Sequence, residues 1–285
     1  MGHYNDAFLV PPEMQDVLGD VRLVSALLQV QGVLARARAR VGQLPSELAL
    51  SMASTCKVEL FDVAKIAREG ARAGDVLPAL HRDLHEAVAL FNPEAAAQLP
   101  RLPVAGWLDA ALAMVVRDAM ALLLADLAAS AEHTPPDAAG VLRACHLRLT
   151  ALAGSACVMP VGLWADQPAT ERAWVAAALG LPVHEGPALA LATDVQRLAA
   201  ELSLTVAVLR HVSVVSDVGQ VATRWAAQRV GPVSTALLGS WSEVDGPAAA
   251  FDPALWWPLL GAAHAAVRVW ACAQPGIPKR PNIAA

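Results

Sequence analysis

The chain has 285 residues, 56% of them hydrophobic and only 16% charged, with a formal net charge of −5. That length carries a sizeable core and one or two domains. The negative balance, and arginines scattered with no basic stripe among aromatics, argue against nucleic acid as a partner.

Almost every segment reads as helix. Between Asp20 and Val41, Val24, Leu27, Leu28 and Leu34 fall at helical spacing, Arg36, Arg38 and Arg40 sit where the dipole favours cations, and Gly42 and Pro45 end the pattern. A second stretch opens at Ser46, read as an N-cap, and runs to Gly74 with a break inside it. A third covers "LPALHRDLHEAVALF", and the proline-rich "NPEAAAQLPRLP" after it reads as a loop. The next helix is expected from about Trp107 to Ala131, then a turn at "EHTPPDAAG" with Asp137 as cap for a helix ending near Leu152.

"PATERAWVAAALGLP" is a short helix stopped by Gly180 and Pro182, and one long helix is expected from Pro187 to Val230, with Gly219 inside it. A last pair covers "VSTALLGSW" and "ALWWPLLGAAHAAVRVWACA", before an irregular tail. There is no period-2 strand and no tandem repeat. The expected architecture is all-α, with an N-terminal helical domain (1–105), a central long-helix bundle domain (106–230) and a short C-terminal helical segment (231–285).

The apolar surplus, much of it Ala and Leu, implies helices buried on more than one face, which favours an oligomer. Asp109, Arg117, Asp118 and Asp126 recur along the most apolar window, so no membrane span is expected. "MGHYNDAFLVPPEM" lacks the basic and apolar regions of a secretory signal, and the cytoplasm is the expected location. Cys56, Cys145, Cys157 and Cys272 are far apart with no CxxC pair and read as buried thiols.

Candidate chemistry is sparse. His81 and His85 share a helix face at i, i+4, as a two-histidine metal site requires, but no Glu follows His81 and no third ligand is signposted. They read as ordinary surface histidines. Cys145 and His146, adjacent on a helix, point about 100° apart. Trp256 and Trp257, with Trp241 and Trp270, read as packing aromatics before pocket walls. Glu243 and Asp245 flank a Gly-Pro turn and read as solvated. No phosphate loop or nucleophile elbow is present.

The order of segments resembles the fumarase/aspartase superfamily, and most of all its 3-carboxy-cis,cis-muconate cycloisomerase branch. "VRLVSALLQVQGVLARARARVGQLPSELA", "ELFDVAKIAREGARAGDVLPALHRDL", "WLDAALAMVVRDAMALLLADLA", "VAAALGLP", "DVGQVATRW" and "VSTALLGSWSEVDGPAAAFDPALWWPLL" resemble its helices in order, from about Asp20 to Trp270. The resemblance implies a shortened long-helix bundle assembled as a tetramer, and anti addition or elimination beside a carboxylate. Such chemistry needs a base on a signature loop and polar side chains that hold the carboxylate.

Those motifs are not matched. Where the superfamily has Thr-Ser-Gln-Asp, this chain reads "PVAGWLD" (Pro103 to Asp109), and its Trp-His-Thr-x-Arg-Asp motif falls on "PALALATDV", with Leu189 and Leu191 in place of polar groups. After "HTPPDAAG" the chain passes directly to "VLRACHLRL", and after "DVGQV" the stretch "ATRWAAQRVGPVSTALL" has neither Met-Pro nor Lys-x-Asn. "GSACVMP" imitates the signature loop, but it lies upstream of "VAAALGLP" and no Lys or Asn follows Met159; "GIPKRPN" comes too late.

The expectation is a homologue that does not catalyse the family reaction and acts by binding or assembly. It would form a homotetramer or pair with an active paralogue, with a small carboxylate as candidate ligand. The alternative is a repurposed lyase or isomerase for a more apolar substrate with new acid–base residues, drawn from His133, His146, His184 and His211. No spacing favours one of these, so no catalytic, cofactor or metal residue is nominated.

Overall fold

In the computed structural model the described residues are 10–99, 106–134, 136–160, 165–184, 186, 188–212 and 253–273. Among them regular structure is helical, apart from a short 3-10 turn (Val58–Leu60) and one isolated parallel bridge between Met159 and Val183. The helices are α1 (Pro12–Leu18), α2 (Asp20–Arg40), α3 (Ser46–Thr55), α4 (Val63–Ala73), α5 (Leu77–Phe91), α6 (Pro93–Gln98), α7 (Trp107–Glu132), α8 (Pro136–Ala156), α9 (Ala169–Leu179), α10 (Ala188–Val212) and α11 (Pro253–Ala273). The chain divides into two compact units, one drawing on residues up to Gln15, Arg117–Ala156 and Leu191 onward, the other on Asp16–Val116 and Cys157–Ala190.

The second of these units is built round α2, which packs on α3, α4 and α9. Val24, Leu27, Leu28, Val30, Val33 and Leu34 are all buried, so apolar residues occupy most of the circumference of α2. Gly32 faces α3, where a Cβ would stand 3.6 Å from the Ala53 backbone, in ordinary contact. The break expected before Gly74 falls between Thr55 and Val63. Asp62 restarts the helix by accepting the Lys65 N–H at 2.9 Å, and Gly74, at φ 75°, ends it in the left-handed region. Salt bridges from Lys65 to Asp83 and from Arg82 to Glu69 link α4 to α5. Arg40 joins α2 to α9, pairing with Glu171 at 3.1 Å while lying 4.7 Å over the Trp174 ring.

In the other unit, Leu142, Cys145 and Leu149 line the inner face of α8, and Val195, Leu198, Leu202, Val206 and Leu209 that of α10. Arg148 and Glu201 bridge these two helices at 2.8 Å. Pro258 lies inside α11 yet is exposed, so its ring faces outward and the helix continues past it.

Several expectations change. Ser46 is the first helical residue and Pro45 occupies the cap position, so Ser46 is no N-cap. The stretch read as a loop holds α6: Pro93 takes the first helical position, where its missing N–H is no loss, and the Asn92 side chain accepts the Ala95 N–H at 3.0 Å. Asp137 lies within α8, which starts at Pro136 and runs to Ala156, past Leu152. By length and composition alone the stretch Pro12–Arg40 could cross a bilayer, contrary to expectation, although 56% of its apolar 18-residue window is buried inside the protein. The long helix is seen from Ala188 to Val212; its expected continuation to Val230, Gly219 and the helix at "VSTALLGSW" lie outside the described residues.

Candidate functional site

The most chemically distinctive group of buried side chains is one the sequence did not signpost. On α11, His264 and Arg268 share a face at i, i+4. Asp126, on α7, accepts from His264 Nε2 at 2.9 Å and from an Arg268 guanidinium N–H at 3.3 Å. Glu13, on α1, stands 3.6 Å from the other end of that guanidinium. His264 has no exposed surface, and Leu260, Ala263 and Val267 near it on α11 are buried too. Burial works to raise the Asp126 carboxyl, but the His264 hydrogen bond and the nearby His264 and Arg268 charges outweigh it and hold the group below its usual value. Buried ionisable groups are tolerable when paired in this way.

An aspartate that orients an imidazole is half of a general-base arrangement. The other imidazole nitrogen, Nδ1, is buried without a hydrogen-bond partner among the described residues. His264 is fully enclosed, and the pair forms a polar clamp inside an apolar unit.

The residues singled out from sequence are dispersed. His81 and His85 lie half-buried on α5, and His81 is shifted down by burial and then by the His85 charge, against a hydrogen bond with the Leu99 backbone. Among the described residues no group of three or more His, Cys, Asp or Glu is arranged to hold a metal ion. Cys145 is buried while His146 is half-buried, so the two face differently. His133 is exposed, its Nδ1 2.8 Å from the Ala129 carbonyl, and His184 is half-buried in the other unit. Trp256 is fully buried as packing, with Trp257 beside it half-buried. Cys157 is buried; Cys56 is half-buried, its thiol pushed up to about 12 by burial against the opposing Arg36 charge. Trp241, Glu243, Asp245 and the side chains of His211, Trp270 and Cys272 lie outside the described residues.

The segments compared with functional motifs in the sequence are packed into the protein. Gly106, at φ 77°, turns the chain into α7, and Trp107 is buried with its indole N–H donating to the Leu27 carbonyl at 2.6 Å. Leu191 is buried. In "GSACVMP", Gly154 to Ala156 finish α8, Cys157, Val158 and Met159 are buried, and the Met159 N–H donates to the Pro182 carbonyl at 2.8 Å. That stretch is a structural seam. An open cleft of about 400 Å³ on α4 and α5 is lined by Glu69, Arg72, Asp75 and Arg82, but Arg82 is already bonded to Glu69 and Asp83.

No family model matches the chain. It is 30% identical over 123 residues to a 3-carboxy-cis,cis-muconate cycloisomerase of Pseudomonas putida, a match covering 43% of this chain and 29% of that protein. A second such cycloisomerase, of Pseudomonas aeruginosa, is 30% identical over 128 residues, 45% of this chain and 28% of the relative. The chain thus matches under a third of the length of these curated relatives.

Among solved structures, the 3-carboxy-cis,cis-muconate lactonizing enzyme of Pseudomonas putida aligns with a TM-score of 0.81 at 20% identity, over 95% of this chain and 76% of that one. The beta-carboxy-cis,cis-muconate cycloisomerase of Acinetobacter calcoaceticus gives 0.81 at 16% identity, over 94% and 76%. A fumarate lyase of Mesorhizobium gives 0.75 at 16%, over 94% and 75%. The chain is thus similar over part of its length to 3-carboxy-cis,cis-muconate cycloisomerases, and its fold is a shortened form of the all-α fold that these structural neighbours share.

Proposed function

We propose that this chain is a cycloisomerase-like homologue that does not catalyse addition or elimination beside a carboxylate and acts through binding or assembly in the cytoplasm. The observation that carries the reading is the substitution of packing for polar chemistry at the motif positions. Trp107 and Leu191, where the family places carboxylate-holding groups, are buried in the protein. A scaffold keeps its helix faces under one constraint and its chemistry under another, so the two can part company. The central segments α7 and α10 would supply the bundle of a homotetramer, or of a hetero-oligomer with an active paralogue. Leu90 and Phe91 at the end of α5 are 85% and 73% exposed, more than a monomer's surface asks of such side chains, which supports a partner there.

Light scattering at micromolar concentration should give several times the protomer mass of 29.7 kDa. Leu90→Ser with Phe91→Ser should lower that mass, and should lower the unfolding midpoint only by what the assembly contributes, because both side chains are exposed in the single chain. A monomer at every concentration defeats the assembly reading.

A panel of muconates, their lactones and other di- and tricarboxylates tests the rest. A ligand at a hundred times its dissociation constant stabilises by about 2.7 kcal/mol, visible as a rise in melting temperature. No turnover of any member is expected, and turnover of one would replace this reading with that of a repurposed enzyme.

A further inference from the structure

We propose that residues 10–15 are a strap over the buried His264–Asp126 pair, seated on one face of α11 and able to lift without unfolding the unit beneath. Gly261, His264 and Arg268 lie three and four residues apart and share that face. Val10 sits on Gly261, where even a Cβ would come within 2.6 Å of its Cγ2, and Glu13 reaches Arg268 at 3.6 Å. The strap therefore touches α11 on both sides of His264, three residues before it and four after it. Met14, inside the strap, is fully buried.

The attachment is weaker than what it covers. Asp126, itself nearly buried, holds the enclosed His264 and the partly exposed Arg268 by hydrogen bonds. The Glu13 contact is longer, its side chain is 43% exposed, and solvent and salt screen such a pair. Two buried polar atoms along this seam, Glu13 Oε2 and His264 Nδ1, have no hydrogen-bond partner among the described residues. Water would satisfy both once the strap lifts, so opening gains hydration that the closed state forgoes. The Gln15 side chain donates to the Val10 carbonyl at 2.8 Å, a bond within the strap. Segments held by a screened, partly exposed pair open locally, ahead of global unfolding. The inference stands independently of whether the chain catalyses anything.

Amide exchange by mass spectrometry, paired with acylation of histidines by diethyl pyrocarbonate, tests it on the whole protein. Peptides covering 10–15 should exchange several-fold faster than those covering Ala119–Ala131 of α7, and faster still in high salt or in Glu13→Gln. Gly261→Ala, which pushes a methyl group against Val10, should act in the same direction. His264 should acylate more slowly than exposed His133 in the natural protein, and its rate should rise in step with exchange of the strap. Exchange of 10–15 at the rate of α7, or a His264 that stays unmodified until the protein unfolds, would overturn the proposal. So would a Glu13→Gln chain that fails to fold, because the segment would then be integral to the unit.

Discussion

Replacing Asp126 with alanine is expected to lower folding stability by about 3–5 kcal/mol, the range seen when one partner of a buried charge network is removed. The reason lies in what stays behind. His264 keeps its position with no exposed surface and loses its hydrogen bond, and Arg268 loses the nearer of its two carboxylates. Urea titration of the variant should show the loss as a lower midpoint with an unchanged slope. Asp126→Asn, which keeps the shape and one acceptor, should lose less.

The same carboxylate gives a pH signature. Its folded value lies below the ordinary 3.8, so its contribution is complete above that value and is lost as the pH falls below 3.8 through the folded value. Acid should therefore depress the midpoint of the natural protein more steeply than that of Asp126→Asn. Parallel pH profiles, or a loss of less than about 1 kcal/mol in the alanine variant, would show that the network is not a stabilising clamp.

Trp107→Ala should be comparably severe, at about 3–5 kcal/mol for an enclosed large aromatic. The indole is almost wholly buried and also ties the start of α7 to the Leu27 carbonyl in the middle of α2. Trp107→Phe separates the two contributions: most of the packing survives and the hydrogen bond goes, a loss of about 1 kcal/mol. Thermal or urea unfolding monitored by circular dichroism would read both. A mild alanine variant would contradict the anchoring role, and with it the argument that this position has been given over to packing.

Helix ends were legible in the sequence wherever a residue type carries its own backbone preference. Gly74 and Gly180 stop α4 and α9 in the left-handed region, and the α5 stretch was readable to the residue because apolar spacing and flanking breakers agree. The α6 error came from weighing proline as a breaker when Asn92-Pro93 is also a starting signal. Position decides which reading holds, and position was not yet known.

The buried cluster was harder to foresee. Asp126 and His264 are 138 residues apart, and no local pattern joins them. A faint signal did exist: an Asp inside "LLLADLAAS" and a His and Arg at i, i+4 inside "LLGAAHAAVRVW" are polar groups in otherwise apolar stretches. Each needs a partner, but sequence alone does not say which.

The bridge between Met159 and Val183 has a consequence for chain length itself. The backbone leaves at Met159 and returns at Pro182 within a single hydrogen bond of its starting point, with α9 carried on the excursion between. Closing a loop is entropically cheap to alter when its ends already meet. The excursion is thus a cassette: it can be lengthened, exchanged or cut back without leaving a gap for the backbone to span. Its contents are less free than its ends, because Arg40 grips Glu171 and Trp174 from α2. A long-helix fold gains most from such joints, where material can be removed while the helices on either side stay in register.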